Sequence, residues 1–276
     1  MTQKHVLAIH DISCMGRCSL TIALPVISAA GITTSVMPTA VLSTHTGGFT
    51  DYTYRDLTED MIPIADHWQT LEPSFDAIYS GYLGSEKQLD IVAEIIKRFK
   101  KSSCDVIIDP VMADHGRLYA GFSPDFPLGM AKLCESADII TPNITEALFM
   151  LNEPYKEGPY QKEYVRDILH ALSCEKVVLT GVYFGDEGYG AAAYDNGDIH
   201  YAFAKRIPGD YHGTGDLFAS VLTAALVSGW PLNHATDIAV EFTSASIKRT
   251  YLSGVDIKYG VNFEEGLAEL SNMIRG

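Results

Sequence analysis

The chain has 276 residues, of which 47% are hydrophobic and 20% are charged, a composition typical of a globular protein with a large buried core. No proline-, serine- and glycine-rich stretch and no block of like charge divides it, so we predict a single domain over residues 1–276. The formal net charge of −15 argues against a nucleic acid or an anionic membrane as the principal partner.

Short apolar runs alternate with helical patterns along the first 180 residues. Residues 88–99 place apolar side chains at helical spacing, which predicts an amphipathic helix that covers a sheet. Strand, loop and helix in this alternation indicate an α/β fold with a mainly parallel sheet. The predicted strands are residues 6–9, 75–79, 106–108, 139–140 and 176–179.

After Gly181 the pattern changes. Residues 189–194 and 199–204 predict two strands, and Asn196 with Gly197 between them is a strong signal for a β-hairpin. The chain then returns to helical patterns, at about residues 216–228, 233–251 and 263–274. We therefore expect a C-terminal hairpin followed by helices.

The five cysteines are scattered and odd in number, which favours free thiols over a disulfide framework and predicts a cytoplasmic location. The N-terminus lacks the apolar segment of a signal peptide, and no apolar run has the length of a membrane span.

Polar residues follow two of the predicted strands. Asp109 and Asp114 come after one strand, and Thr141, Asn143 and Glu146 come after the next. Ligands gather at the carboxyl ends of parallel strands, and Mg²⁺ prefers oxygen ligands, so this set suits a magnesium nucleotide. The alternative is structural: the aspartates shape a turn, Asn143 or Thr141 caps the next helix, and Glu146 completes a capping box.

A glycine-flanked turn, Gly213-Thr214-Gly215-Asp216, runs into the apolar stretch 217–222. Glycines permit a close approach of the backbone, and a helix N-terminus favours a phosphate, so we expect an anion hole here. Asp216 beside it is suited to take a proton from an attacking hydroxyl group. The alternative is that Asp216 only caps the helix.

In these motifs the chain resembles the ribokinase superfamily, and within it the branch that contains pyridoxal kinases. The resemblance runs almost end to end and implies a three-layer α/β/α sandwich. It rests on four motifs in the family's order: DPVM at 109–112, TPNxxE at 141–146, Thr180-Gly181 after a strand, and GTGDLFAS at 213–220.

The resemblance also implies roles. Asp216 would be the general base, and the backbone of Gly213, Thr214 and Gly215 would be the anion hole. Asp109, Thr141 and Glu146 would organise Mg²⁺, while Asp114, Asn143, Thr180, Gly181 and Thr214 would meet ATP. Dependence on a monovalent cation such as K⁺ stays open. The family further implies a homodimer.

Substrate residues follow from the same resemblance. His45 and Thr46 lie in a stretch similar to an Asn-His-Thr of pyridoxal kinases, and an imidazole can hydrogen-bond a ring hydroxyl group. Tyr119 matches a tyrosine that packs on the bound ring. These residues imply ATP-dependent phosphorylation of the hydroxymethyl group of pyridoxal, pyridoxine or pyridoxamine.

The first loop departs from that pattern, because pyridoxal kinases usually have a serine at the position of Asp11. Asp11, Ser13 and Gly16 resemble instead the first loop of hydroxymethylpyrimidine kinases, and phosphorylation of hydroxymethylpyrimidine or its phosphate is the alternative function. A carboxylate there suits a substrate amine, or Asp11 forms a salt bridge with Arg17 that shapes the loop. A third possibility is a non-catalytic relative that binds a vitamin or nucleotide.

Overall fold

The computed structural model describes residues 3–185 and 188–275. The described residues form a nine-stranded sheet, a two-stranded hairpin, and helices on both faces of the sheet. The helices are α1 (Leu20–Ala29), α2 (Thr58–Leu71), α3 (Glu86–Phe99), α4 (Phe126–Cys134), α5 (Ile144–Met150), α6 (Lys162–Ala171), α7 (Thr214–Val227), α8 (Leu232–Ser253) and α9 (Leu267–Arg275). The strands are β1 (His5–Ser13), β2 (Thr33–Leu42), β3 (Tyr54–Asp56), β4 (Ala77–Ser80), β5 (Asp105–Ile108), β6 (Ala113–Asp114), β7 (Arg117–Leu118), β8 (Ile139–Ile140), β9 (Lys176–Val182), β10 (Tyr189–Asp195) and β11 (Asp198–Ala204).

The large sheet has the order β11-β10-β9-β8-β5-β4-β1-β2-β3. The six strands from β9 to β2 pair in parallel, whereas β3 at one edge and the β10–β11 hairpin at the other pair antiparallel. Asn196 and Gly197 both have positive φ at the hairpin turn, as Asn-Gly turns require. The predicted mainly parallel sheet with a C-terminal hairpin is confirmed.

Side chains alternate between two cores because successive residues of a strand point to opposite faces. Along β1, Val6 packs with the core under α1, α7, α8 and α9, and Leu7 packs with the core under α2 to α6. On α3, the predicted apolar face is buried, and Ser85 caps the helix by accepting from the Gln88 N–H. The predicted three-layer α/β/α architecture is therefore confirmed.

Two regions differ from the sequence-based expectation. β2 and β3 are not among the predicted strands, because β2 contains Pro38 and several hydroxyl side chains that obscure an apolar pattern. β1 extends to Ser13, so Asp11 and Ser13 lie on a strand and not in the expected loop. Both residues are buried.

Among the described residues, no helix combines the length and the apolar character needed to cross a bilayer.

Candidate active site

The turn before α7 leaves several backbone N–H groups without a helical acceptor. Gly213 is the N-cap, with φ of 74°, and the first bond of the helix joins the Leu217 N–H to the Gly213 carbonyl at 3.0 Å. The N–H groups of residues 213–216 precede that bond and have no acceptor within the helix. A Cβ at Gly213 would collide with the Arg17 carbonyl oxygen, whereas Gly215 faces open space. Four backbone donors are thus available to an anion at this turn.

Asp216 lies on the first turn of α7 and is buried. Its Oδ2 accepts from the Ser19 N–H at 2.9 Å and from the Cys18 thiol at 3.2 Å. No described residue donates a hydrogen bond to Oδ1. Burial raises the pKa of Asp216, and the two donors offset part of that rise. The alternative that Asp216 merely caps the helix is wrong, because the N-cap is Gly213.

Asp109 and Glu146 are two further buried carboxylates: Asp109 directly follows β5, and Glu146 lies on the first turn of α5, the helix after β8. Burial raises the pKa of Asp109 to about 8, and the negative charge of Asp216 adds to the rise, while the Thr141 hydroxyl group opposes it. The pKa of Glu146 is raised by burial and then by the charge of Asp109. The three carboxylates therefore share one electrostatic environment.

Glu146 and Asn143 form the capping box that the sequence suggested as a structural alternative. Asn143 Oδ1 accepts from the Glu146 N–H at 3.0 Å, and Glu146 Oε2 accepts from the Asn143 N–H at 2.9 Å. Glu146 Oε1 accepts from the Met112 N–H at 3.1 Å, and Asn143 Nδ2 donates to the Ala113 carbonyl at 2.8 Å. The capping interpretation is confirmed, and these bonds fix the Glu146 carboxylate in place.

The residues expected at a metal fit a hard cation. Asp109 Oδ2 and Thr141 Oγ1 are buried and have no hydrogen-bond partner of good geometry among the described residues. Those residues include no group of three or more His, Cys, Asp or Glu side chains that could hold an ion together. Mg²⁺ commonly uses one or two carboxylates and takes its other ligands from water and substrate phosphates, so this sparse set suits it.

The residues expected to meet ATP lie around the same sheet edge. Thr180 forms a backbone bridge with Asn143, and its N–H donates to the Pro142 carbonyl at 2.9 Å. Gly181 follows with φ of 75°, a left-handed conformation that favours glycine. Asp114 lies on the β6–β7 hairpin, which the sequence did not predict because each of its strands has two residues.

The same hairpin positions Tyr119, whose N–H donates to the Met112 carbonyl at 2.9 Å. The Tyr119 ring is partly exposed, and its pKa is raised by burial and then by the charges of Glu146, Asp114 and Asp216. Tyr119 is therefore close enough to these carboxylates for their charges to affect it.

His45 is buried, with its Nε2 at 2.8 Å from the Lys258 carbonyl oxygen. Burial lowers the pKa of His45, against the carbonyl contact that raises it. Its ring lies 4.9 Å from Phe49 and 5.3 Å from His212, centroid to centroid. Thr46 is exposed, and no described contact joins it to the other site residues.

Asp11 is buried close to Asp216. Burial raises the pKa of Asp11 to about 6; the Ser19 hydroxyl group opposes the rise, and the charge of Asp216 adds to it. Ser13 Oγ donates to Asp11 Oδ2 at 3.0 Å. The alternative of a salt bridge with Arg17 is wrong, because Arg17 Nε pairs with Glu264 at 2.7 and 2.8 Å.

No role followed from the sequence for Cys18, Ser19 or Lys258, all of which contact predicted site residues. The local sequence does not reveal these contacts, because Cys18 and Ser19 are almost 200 positions away from Asp216 in the chain. Only the proximity of this loop to the glycine turn identifies Cys18 and Ser19.

Comparison with known proteins shows which folds and families this chain resembles. A protein of Bacteroides thetaiotaomicron with the provisional name phosphomethylpyrimidine kinase superposes with a TM-score of 0.94 at 37% identity, over 98% of this chain and 94% of that one. Its orthorhombic crystal form with pyridoxal gives a TM-score of 0.90.

Pyridoxal kinase of Lactobacillus plantarum gives a TM-score of 0.90 at 31% identity, over 99% of this chain and 98% of that one. The hydroxymethylpyrimidine/phosphomethylpyrimidine kinase of Mycobacterium tuberculosis is 26% identical over 92% of each chain. These neighbours confirm the ribokinase-like fold and the predicted kinase superfamily. Because the model of the phosphomethylpyrimidine kinase family matches residues 24–261, the chain belongs to that family.

Proposed function

We propose that this protein transfers the γ-phosphoryl group of ATP to the hydroxymethyl oxygen of a vitamin B6 compound: pyridoxal, pyridoxine or pyridoxamine. The observation that carries the proposal is the Asp216 turn. A buried carboxylate with one oxygen held and the other unbonded lies one residue from a glycine N–H donor. General base and anion hole thus share one turn, as in-line transfer to an alcohol requires.

In this mechanism Asp216 Oδ1 accepts the proton of the substrate's hydroxymethyl group while the hydroxymethyl oxygen attacks the γ-phosphorus. The bond from the γ-phosphorus to the β–γ bridging oxygen breaks, and ADP leaves. The raised pKa makes Asp216 a better proton acceptor than an exposed aspartate. The N–H groups of Gly213, Thr214 and Gly215 hold the transferred phosphoryl group, and the positive end of the α7 dipole stabilises its charge.

Asp109, Thr141 and Glu146 would hold Mg²⁺, which when bound neutralises charge on the phosphates. Asp114, Asn143, Thr180, Gly181 and Thr214 would contact ATP at the adjacent strand ends. The two buried oxygen atoms without partners, on Asp109 and Thr141, support this assignment.

His45 would recognise the ring hydroxyl group of the vitamer. A carbonyl oxygen only accepts, so the Nε2 that faces the Lys258 carbonyl carries the proton of the neutral imidazole. Nδ1 is then an acceptor suited to a phenolic O–H group. Tyr119 offers an aromatic face for the pyridine ring. Thr46 would lie beside the bound ring. The pyridoxal in the Bacteroides crystal form, at 37% identity, supports this substrate class.

The second candidate is a hydroxymethylpyrimidine or phosphomethylpyrimidine kinase. The family match and the mycobacterial relative favour it, and so does Asp11, which departs from the pyridoxal kinase pattern. Both candidates use the same base and the same anion hole, so the test must compare substrates.

The experiment measures ADP release with ATP, Mg²⁺ and each of six acceptors: pyridoxal, pyridoxine, pyridoxamine, hydroxymethylpyrimidine, its monophosphate, and ribose. We expect kcat/KM to be highest with the B6 compounds, and the same assay in K⁺ and Na⁺ tests the monovalent cation. Higher kcat/KM with the pyrimidines would overturn the proposal in favour of the second candidate. No turnover with any acceptor would favour the non-catalytic relative. The expected homodimer stays a prediction, which light scattering tests.

A further inference from the structure

Ser19 has an unusual backbone conformation at the start of α1, with φ of 52° and ψ of −126°. A positive φ is uncommon for a residue with a Cβ, and such conformations tend to occur at functional sites. Ser19 is the N-cap of α1, yet its hydroxyl group makes no capping hydrogen bond to the helix. Serine is a preferred N-cap because of that bond. A serine that has the cap position without the cap contact indicates another role.

Contacts with the end of β1 hold Ser19 in this conformation. Its backbone forms an antiparallel bridge with Ile12. Its hydroxyl group acts as a hydrogen-bond donor that opposes the burial-driven rise in the pKa of Asp11. Ser13 Oγ donates to the same carboxylate at 3.0 Å. Asp11 is only 3% exposed, and the hydroxyl groups of Ser13 and Ser19 both oppose the rise in its pKa.

The strained residue presents its N–H group to the proposed general base. Ser19 N donates to Asp216 Oδ2 at 2.9 Å, and the neighbouring Cys18 thiol donates to the same oxygen at 3.2 Å. Burial and the charges of Asp216 and Asp11 raise the pKa of Cys18, which keeps the thiol protonated as a donor. With Oδ2 held twice, the orientation of the carboxylate is set and Oδ1 remains for the substrate.

The segment before Ser19 is anchored to the same turn. The Arg17 carbonyl lies where a side chain at Gly213 would be, and the Arg17 N–H donates to the Tyr259 carbonyl at 2.9 Å. The Arg17 side chain pairs with Glu264. These contacts fix the position of the loop relative to the glycine turn. A residue that donates a hydrogen bond to the general base needs such a fixed position.

We propose that Asp11 and Ser19 are positioning residues: Asp11 holds the Ser19 hydroxyl group, and the Ser19 N–H, with the Cys18 thiol, orients Asp216 for phosphoryl transfer. Asp11 then acts through Asp216 and not through a substrate amine, the role its sequence position suggested. This inference rests on the proposed function, because it identifies the residues that orient Asp216, the general base of that function.

The test compares Ser19→Ala with Ser19→Gly. Both variants lose the hydroxyl group, but only glycine adopts the backbone conformation of residue 19 without strain. We expect Ser19→Ala to lower kcat by about 10- to 10²-fold with little change in KM, as misplacement of a catalytic group does. Ser19→Gly should recover most of that loss. The acid limb of the kcat profile should move to higher pH in Ser19→Ala, because Asp216 loses a donor that stabilises its charge.

A matched control is Ser136→Ala, which removes a hydroxyl group bonded to the Leu133 carbonyl at the end of α4. It should leave kcat and the pH profile unchanged. Thermal unfolding of every variant separates a loss of activity from a loss of the fold.

A second arm uses Asp11→Asn with two vitamers, pyridoxamine, which has an amine, and pyridoxine, which has none. A positioning role predicts that kcat falls by the same factor for both, within about twofold. A loss about tenfold larger with pyridoxamine would overturn the inference and make Asp11 an amine contact. Wild-type kcat in Ser19→Ala, or a Ser19→Gly variant less active than Ser19→Ala, would also overturn it.

Crystal structures of the two Ser19 variants test the geometry without turnover. In Ser19→Gly, the distance from the residue 19 nitrogen to Asp216 Oδ2 should stay near 2.9 Å, and in Ser19→Ala it should lengthen. An unchanged contact in Ser19→Ala would refute the role of the hydroxyl group, even if the wild-type enzyme were inactive on the six acceptors. Inactivity of the wild type would refute the proposed function separately.

Discussion

Replacing Asp11 by asparagine is expected to stabilise this protein at pH 8, although Asp11 lies at the proposed active site. The carboxyl group is 3% exposed, and its pKa rises from 3.8 to about 6, mainly because of burial. A shift of two units, at about 1.4 kcal/mol each, corresponds to ~3 kcal/mol. Asparagine has no charge to bury, so the variant avoids this cost.

The sign of the effect sets its pH dependence. The folded state binds the proton more tightly than the unfolded state, so the stability that protonated Asp11 contributes is fully present below pH 3.8 and is lost as the pH rises through about 6. Asp11→Asn should therefore exceed the wild type by up to ~3 kcal/mol at pH 8, or roughly 5–10 °C in Tm. The difference should approach zero near pH 4.

Urea unfolding between pH 4 and pH 8 measures this difference, with the fluorescence of Trp68 and Trp230 as the signal. The matched control is Asp125→Asn, which removes the same charge from an exposed position at the start of α4 where the side chain makes no cap bond. The control should give no pH-dependent gain. A difference between Asp11→Asn and wild type that is constant over this pH range, or a less stable variant at pH 8, would refute the reasoning.

Four further substitutions test the site. Asp216→Asn should fold with a Tm no lower than that of the wild type, because burial raises the pKa of Asp216, but should lose ~10² to 10⁴ in kcat, the usual contribution of a general base; near-normal turnover would contradict the assignment. Gly213→Ala should lower the free energy of unfolding by about 1–3 kcal/mol in urea, because its positive φ and the Arg17 carbonyl exclude a Cβ. Gly215→Ala, which faces open space, should cost less than half as much, and equal losses would be evidence against this account. Asp109→Asn should raise the Mg²⁺ concentration for half-maximal velocity by about tenfold, since a carboxylate is a preferred magnesium ligand; an unchanged Mg²⁺ titration would remove Asp109 from the metal site.

Local patterns were sufficient for much of the fold. Helix α3 follows from apolar residues at helical spacing. The hairpin turn follows from Asn196 and Gly197, because these two residue types themselves favour the positive φ values of the turn. The capping box of Asn143 and Glu146 is equally local, because its partners are three residues apart.

Other features depended on partners far along the chain. β2 is a strand because β1 pairs with it, although its Pro38 and hydroxyl side chains weaken the local signal. The β6–β7 hairpin is too short to predict, yet it carries Asp114 and precedes Tyr119. Arg17 pairs with Glu264 and not with the nearby Asp11, because the loop turns its side chain toward the C-terminal segment.

The sequence by itself determined the chemistry of the site: which carboxylates follow which strands, and where glycines open a turn at the start of α7. Only the tertiary structure decided how these groups are used. In the folded chain Cys18 and Ser19 donate hydrogen bonds to Asp216, and Asp11 is a buried neighbour of that carboxylate. Residue types and spacing encode local geometry, whereas contacts between distant segments depend on the whole sheet packing into one arrangement.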